Sequence, residues 1–230
     1  MLHLNQDYVD SYGVILKEKD KKYVDNQRVT DKQDKFYNPG IAMMTEEPSK
    51  AVLFGALYNT QPEYERPYLK LEAVSPYISD NKTKLDLVCS DNNHYIEYKK
   101  VKFLYNNGKL DESFIKKLVH PSVIGDNGWR DHLGKSQASI SVFGDIEKLT
   151  TLPSQYDRAS LVEMWSNDYY DMKPYISLLT GLIQMYYEVD IFHTRVEDLI
   201  HPHLNTCDIV LTKVKGKKKW KNISLRLMII

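Results

Sequence analysis

The sequence predicts an α/β (α+β) fold, a central mixed β-sheet flanked by helices, with residues 1–230 as one domain. Residues 84–102 have the pattern of a β-hairpin, and residues 173–189 carry apolar side chains at helical spacing. Strand and helix patterns alternate between and after them, which is typical of a sheet with helices packed on it. Because no repeat or linker interrupts the chain, one domain is the economical interpretation.

Composition and charge favour an ordinary soluble protein. Lys plus Arg and Asp plus Glu each number 31, so the zero net charge neither favours nor excludes nucleic acid as a partner. Cys89 and Cys207 lie far apart without a CxxC pattern, which favours a reducing compartment. The first residues lack a signal-peptide pattern, and no apolar run reaches the roughly 18 residues of a membrane helix. We expect a cytoplasmic location.

The N-terminal segment is polar and predicts one clear helix. A short strand is expected at 14–16, followed by a solvated turn at the mixed charge run 17–22. A helix is expected to begin at Thr45, where a capping residue, two acids and an early proline follow one another. Glu46 and Glu47 suit the helix dipole, and the alternative for either residue is an extra carboxylate in a metal shell.

Turn signals and periodicity predict the later elements. The expected elements are strands at 68–71, 159–165, 207–214 and 220–230, and helices at 111–120, 136–149 and 173–189. The dipeptide Asn107-Gly108 predicts a turn. A Gly-rich loop at 125–134 contains Arg130 and lacks the spacing of a phosphate-binding loop.

The hairpin at 84–102 has an apolar and a polar face. With the turn centred between Asp91 and Asn92, Asp86 lies directly across from Glu97. Alternation along the strands places Leu85, Leu87, Cys89, Ile96 and Tyr98 on the core face, and Lys84, Asp86, Val88, Tyr95, Glu97 and Lys99 on the other. Two opposed carboxylates destabilise a sheet. A divalent cation held between them offsets this repulsion, and Lys99 points at the same place.

The pattern of Asp86, ten intervening residues and Glu97-Tyr98-Lys99 resembles the PD-(D/E)xK motif of the restriction-endonuclease-like nuclease superfamily. The resemblance covers the hairpin and the surrounding order of helix, hairpin, helix, strand and helix. It implies that Asp86 and Glu97 bind Mg²⁺ and that the Tyr98 carbonyl completes the metal shell. Lys99 orients the attacking water or helps to deprotonate it. Leu85 stands where the motif has a proline, a position that varies widely in the family.

The resemblance implies a Mg²⁺-dependent deoxyribonuclease similar to type II restriction endonucleases, acting on DNA as a homodimer. Mg²⁺ binds through one or two carboxylates and keeps water ligands. It polarises a phosphoryl oxygen and lowers the pKa of a bound water, and a neighbouring lysine aligns that water or stabilises the transition state. The alternative is a solvated hairpin face on which Lys84 and Lys99 neutralise Asp86 and Glu97.

Basic residues supply the expected contacts with DNA, because clustered lysines neutralise phosphates. The densest cluster is 213–221, which includes Trp220; the equal alternative is a lysine-rich turn between two strands. The residues predicted to contact nucleic acid are Lys84, Lys100, Lys102, Arg130, Lys217, Lys218 and Lys219.

The histidine-rich segment gives a weaker signal. His193, His201, His203 and Cys207 are metal-capable, but their spacing matches no zinc pattern, and an ordinary turn at 201–203 is the preferred interpretation. Two other functions stay open. One is a non-catalytic nucleic-acid-binding or assembly subunit that retains the nuclease fold; the other is an enzyme acting on a small molecule.

Overall fold

The fold is a six-stranded mixed β-sheet with α-helices packed on it, which confirms the predicted α/β class. The computed structural model describes residues 3–22, 29–30, 36–37, 40–63, 69–74, 84–89, 93–111, 114 and 141–218. The helices there are α1 (Gln6–Lys22), α2 (Glu46–Asn59), α3 (Val142–Thr150) and α4 (Lys173–Tyr186). None of these described helices is long and apolar enough to cross a membrane.

The strands pair in the order β3-β4-β5-β6-β8-β7. Their bounds are β3 (Leu69–Val74), β4 (Lys84–Cys89), β5 (His94–Lys102), β6 (Asp157–Ser166), β7 (Tyr187–Val196) and β8 (Thr206–Lys217), while β1 (Val29–Thr30) and β2 (Phe36–Tyr37) form a separate pair. Only β5 and β6 are parallel among the paired strands described. A parallel pair needs a crossover connection, and α3 lies on the one between them.

β4 and β5 form the predicted hairpin in the predicted register. Three residue pairs face each other across it: Leu87 with Ile96, Val88 with Tyr95, and Cys89 with His94. All five side chains of the predicted core face are buried. On the opposite face Glu97 is only 1% exposed, and Lys148 and Lys50 pair with Glu97 and Asp86. The alternative of a solvated face neutralised by Lys84 and Lys99 is therefore wrong.

Helices cover both faces of the sheet at β5. The ring of Tyr98 packs edge-on against Phe54 of α2, with 5.8 Å between the ring centroids. The neighbouring Glu97 pairs instead with Lys148 of α3. Because successive side chains of a strand point to opposite faces, α2 and α3 lie on opposite sides of the sheet.

The N-terminal segment is helical, so the strand predicted at 14–16 and the solvated turn predicted at 17–22 are wrong. Both lie within α1. Tyr8, Tyr12 and Leu16 are buried and recur every four residues, which forms a helical stripe against the core. The strand was predicted from the aliphatic trio at 14–16, whereas two of the three positions of the buried helical stripe are tyrosines.

The second half of the chain agrees with the prediction in its strands and differs at its helix ends. α3 begins after Ser141, whose Oγ accepts a hydrogen bond from the Gly144 N–H at 3.2 Å. The predicted strands at 159–165 and 207–214 are confirmed within β6 and β8. The helix predicted to reach residue 189 ends at Tyr186, and β7 follows at once. No strand was predicted there because neither Gly nor Pro separates the two apolar patterns.

The turn predicted at Asn107-Gly108 is confirmed: the Tyr105 N–H donates to the Lys109 carbonyl at 2.7 Å, and Gly108 has a φ of 78°. Other predicted features lie outside the described residues. They are the loop at 125–134 with Arg130, the strand at 220–230 with Trp220, Lys219, and all but Asp111 and Phe114 of the helix at 111–120.

Asp20 is a buried carboxylate that joins three parts of the chain. Its Oδ1 accepts a hydrogen bond from the Ile41 N–H and its Oδ2 accepts one from the Ile200 N–H, both at 2.7 Å. Burial raises the pKa of Asp20 against the opposing effect of these hydrogen bonds. The carboxylate thus ties the end of α1 to the chain before α2 and to the connection between β7 and β8.

The Asp20→Ala change is expected to lower the free energy of unfolding by about 2–4 kcal/mol, because two buried N–H groups lose their acceptor. Urea unfolding followed by circular dichroism measures this difference. Asp10, exposed on the same helix, provides the control: Asp10→Ala is expected to stay within about 0.5 kcal/mol of wild type. Wild-type stability in Asp20→Ala would contradict the role assigned to this carboxylate.

Candidate active site

Two carboxylates lie along the edge of β5 where its pairing with β4 ends. Beyond Ile96, the Tyr98 N–H donates to Asp86 Oδ2 at 2.7 Å, and the Lys100 N–H donates to Glu46 Oε1 at 3.0 Å. Backbone N–H groups at a strand edge need acceptors, and side-chain carboxylates supply them here. Asp86 is therefore linked to β5 by a hydrogen bond that its side chain accepts.

Lys50 of α2 neutralises the carboxylates on this side of the hairpin. Its Nζ lies 2.8 Å from Asp86 Oδ1 and also bonds Glu72 of β3. Burial pulls the pKa of Lys50 down, but the hydrogen bonds to Asp86 and Glu72 outweigh it and leave the pKa above its ordinary value. Lys50 is therefore a charged lysine held between two strands.

Glu97 is the most deeply buried carboxylate of the hairpin. Its Oε2 lies 2.6 Å from Lys148 Nζ, whereas its Oε1 is buried without a hydrogen-bond partner among the described residues. Burial raises the pKa of Glu97; Lys148 opposes the rise, and the charges of Asp86 and Asp145 add to it.

Lys99 pairs with a carboxylate that sequence reasoning did not find. Its Nζ lies 3.4 Å from Oδ2 of Asp145 on α3, at the other end of the crossover. Burial raises the pKa of Asp145 to about 7, Lys99 and Lys148 oppose the rise, and Asp86 adds to it. Burial lowers the pKa of Lys99, but the charges of Asp145, Glu46 and Asp86 raise it by a larger amount. The pKa therefore lies above its ordinary value, and Lys99 stays protonated at neutral pH.

These contacts define a charged cluster of three carboxylates and three lysines: Asp86, Glu97, Asp145, Lys50, Lys99 and Lys148. The sequence predicted Asp86, Glu97 and Lys99; in the structure the charge of Asp86 acts on both Glu97 and Lys99, whereas Glu97 pairs with Lys148 and Lys99 pairs with Asp145. Lys50, Asp145 and Lys148 were missed because only the packing of α2 and α3 brings them there. One signal was present: Asp145 and Lys148 are three residues apart, so they share a helix face.

The carboxylates suit a hard divalent cation, although lysines hold some of their oxygens. A group of three His, Cys, Asp or Glu side chains placed for a metal ion does not occur in the described part of the chain. Mg²⁺ needs only one or two protein carboxylates because it keeps its waters. The unpartnered Oε1 of Glu97 is a buried donor of the right chemistry. Of the two hairpin carboxylates, Glu97 offers an oxygen that is free among the described residues. Lys50 and the Tyr98 N–H hold both oxygens of Asp86, so Mg²⁺ would have to replace these contacts to bind Asp86.

Two lysines predicted to contact DNA line a cavity at the start of α2. Lys100 donates from its Nζ to the Ile41 carbonyl at 2.5 Å and to Ser49 Oγ at 2.9 Å, so its ammonium points inward. Lys102 donates to Asn106 Oδ1 at 3.3 Å. The cavity has a volume of about 570 Å³ and is lined by Met43, Met44, Thr45, Glu46, Glu47, Lys100 and Lys102.

The other described residues that were predicted to contact DNA lie near α3, α4 and the hairpin. Lys84 is exposed, and its carbonyl accepts a hydrogen bond from Lys148 Nζ at 2.9 Å. Lys217 pairs with Glu147 of α3, and Lys218 donates to the Gln184 carbonyl of α4. The start of the predicted lysine-rich turn belongs to β8, which extends to Lys217. The predicted contacts Arg130 and Lys219 lie outside the described residues.

The histidine-rich segment does not converge on one site. His193 Nε2 lies 2.9 Å from Asp208, whereas Cys207 is buried in β8. His201 and His203 lie in a turn, as predicted. Burial lowers the pKa of His201 to about 3, with Lys102 and His203 adding to the effect.

Comparison of the chain with models of protein families, with characterised proteins and with solved structures gives no match.

Replacing Asp145 with asparagine is expected to stabilise the metal-free protein relative to wild type, increasingly as the pH rises from about 4 to about 7. The pKa of Asp145 is about 7 in the folded protein and about 3.8 in the unfolded chain. Between these pH values the folded state binds more protons than the unfolded state, so the free energy of unfolding of the wild type falls as the pH rises. Asparagine does not titrate and escapes this loss.

Urea unfolding in chelator at several pH values measures the difference between Asp145→Asn and wild type. The difference is needed because His94 and His201, whose pKa values burial lowers to about 4 and about 3, change stability with pH in the opposite sense. They do so equally in both proteins. A difference that does not change with pH would contradict the electrostatic cost assigned to Asp145.

Proposed function

We propose that this protein is a Mg²⁺-dependent deoxyribonuclease that hydrolyses phosphodiester bonds of DNA. The observation that carries the proposal is the charged cluster: Asp86 at the edge of β5, Glu97 on the strand with its Oε1 buried and unpartnered among the described residues, and a protonated Lys99 two residues further along. Hard oxygen donors next to a cationic side chain are what metal-assisted phosphodiester hydrolysis requires.

The order of elements gives separate support. α2, the β4–β5 hairpin, α3, β6 and α4 occur along the chain as helix, hairpin, helix, strand and helix, with β3 between α2 and the hairpin. This is the order included in the resemblance to the PD-(D/E)xK superfamily, and we propose a restriction-endonuclease-like fold on that ground.

In the proposed reaction Asp86 and Glu97 would hold the metal, and the Tyr98 carbonyl would be a further ligand. Bound Mg²⁺ supplies a polarised phosphoryl oxygen and a water of lowered pKa. The raised pKa of Lys99 means that it donates hydrogen bonds rather than accepting a proton. Lys99 therefore orients the attacking water and stabilises negative charge that develops on the phosphate.

DNA is the proposed substrate because basic side chains lie on the hairpin and beside the helix that carry the charged cluster. Lys84 and Lys102 lie on the hairpin itself, and Lys217 and Lys218 lie beside α3 and α4. Such residues contact phosphates and make binding depend on salt. The resemblance to type II restriction endonucleases adds the expectation of a cytoplasmic homodimer with one active site for each strand.

Glu97→Gln and Lys99→Met are each expected to lower the rate of Mg²⁺-dependent DNA cleavage by about a hundredfold or more, because one removes a metal donor and the other a stabilising charge. Gel analysis of supercoiled plasmid and single-stranded DNA, incubated with Mg²⁺, Mn²⁺ or EDTA, measures the cleavage. Glu18 and Lys22 form an ion pair on α1, and Glu18→Gln and Lys22→Met are the matched controls, expected to cleave normally. Full activity of both site variants would refute the proposal.

The second candidate is a non-catalytic nucleic-acid-binding or assembly subunit. Its support is that Lys50 and Lys148 already neutralise one oxygen each of Asp86 and Glu97. Such a protein binds DNA with a steep salt dependence and cleaves it with neither Mg²⁺ nor Mn²⁺. Electrophoretic mobility shifts at increasing NaCl, run beside the cleavage assay, distinguish the two candidates.

A further inference from the structure

Lys148 is the one member of the charged cluster that holds a hairpin carboxylate from the crossover helix. Its Nζ lies 2.6 Å from Glu97 Oε2 and 2.9 Å from the Lys84 carbonyl oxygen. Both partners are oxygens, and one is a carboxylate, so the ammonium occupies a position with the chemistry of a cation site. The other oxygen of Glu97 has no hydrogen-bond partner in the described residues.

Lys50 and Lys148 hold their carboxylates in different ways. Lys50 has a side chain only 5% exposed and bridges Asp86 to Glu72, while the Tyr98 N–H fixes the second oxygen of Asp86. The Lys148 side chain is 23% exposed, and Glu97 is the only carboxylate with which it forms an ion pair among the described residues. Lys148 can therefore swing into solvent without breaking a second ion pair, whereas Lys50 cannot.

We infer that the Lys148 ammonium stands in for the divalent cation at Glu97, so that metal binding and the Lys148–Glu97 ion pair exclude each other. The inference rests on the proposed function, because it assumes that Glu97 binds metal. The Lys148 ammonium lies 2.6 Å from an oxygen of Glu97, whereas Lys99 pairs with Asp145. A metal on Glu97 would therefore lie within a few ångströms of the Lys148 ammonium, and two cations that close repel strongly in a site of low dielectric. Metal entry thus requires Lys148 to leave, and the work of moving Lys148 weakens the apparent affinity of the metal.

The competition keeps the cluster stable when metal is scarce. An unpaired carboxylate as deeply buried as Glu97 is costly, and an internal ammonium offsets that cost. When metal binds, the released Lys148 is left on α3 beside the hairpin. The position of the Lys148 side chain on α3 thus depends on whether the site holds a metal ion.

The test is direct metal binding by the full chain, without DNA. Mn²⁺ is titrated into wild type, Lys148→Met and Lys148→Arg, and free Mn²⁺ is followed by electron paramagnetic resonance, with calorimetry for Mg²⁺. Lys148→Met is expected to bind Mn²⁺ at least about tenfold more tightly, a difference of about 1.4 kcal/mol. Lys148→Arg keeps the competing charge and is expected to bind close to the wild-type affinity.

Three further variants test whether the change in Mn²⁺ affinity arises at Glu97 and Lys148. Adding Glu97→Gln to Lys148→Met is expected to abolish the gain, because the donor is lost. Lys17→Met removes a lysine that pairs with Asp198, away from the charged cluster, and is expected to leave the affinity unchanged. Lys148→Gln, which keeps a hydrogen-bond donor for the Lys84 carbonyl, replaces Lys148→Met if that variant unfolds.

The outcomes separate this inference from the proposed function. Wild type that binds Mn²⁺ with Lys148→Met no tighter overturns the inference and leaves the nuclease proposal standing. Binding by Lys148→Met but not by wild type supports the inference even if wild type does not cleave DNA. Absence of Mn²⁺ binding in wild type and in every neutral Lys148 variant overturns both.

Discussion

The parallel pairing of β5 with β6 is the constraint on which the candidate site depends. Parallel neighbours cannot be joined by a tight turn, so the chain must leave the sheet and return, and α3 lies on that return path. α3 thereby comes to rest over the face of β5 that carries Glu97 and Lys99. Without the crossover, these residues would have no Asp145 or Lys148 beside them.

Local patterns predicted the hairpin well because a hairpin is a local structure. Its register and its apolar face follow from a turn and from alternation, whereas the predicted pair of Asp86 with Glu97 lies beyond the last paired residues, Leu87 and Ile96. The start of α2 at Glu46 and the strand β6 are local signals too. Each depends on residues close together in sequence, so no knowledge of the tertiary packing was needed.

The partners of the hairpin could not be predicted because packing decides them. Lys50 reaches Asp86 from α2, and Asp145 reaches Lys99 from α3, across 36 and 46 residues of chain. Burial, which sets the pKa of Glu97, also comes from packing. α1 and β7 were missed for a different reason. Tyrosines fill two positions of the buried stripe of α1, and the start of β7 lies within an apolar run that continues from α4 without a break.

The contact of Glu46 with β5 gives α2 a mechanical role. A glutamate in the first turn of a helix ordinarily favours its own helix dipole, yet this carboxylate accepts the Lys100 N–H of the strand, and Lys50, one turn later, holds Asp86. Both ends of that turn are thus fastened to the hairpin. α2 is therefore attached to the hairpin at two points, so a shift of the helix along its axis would move Asp86 and the backbone of β5 together.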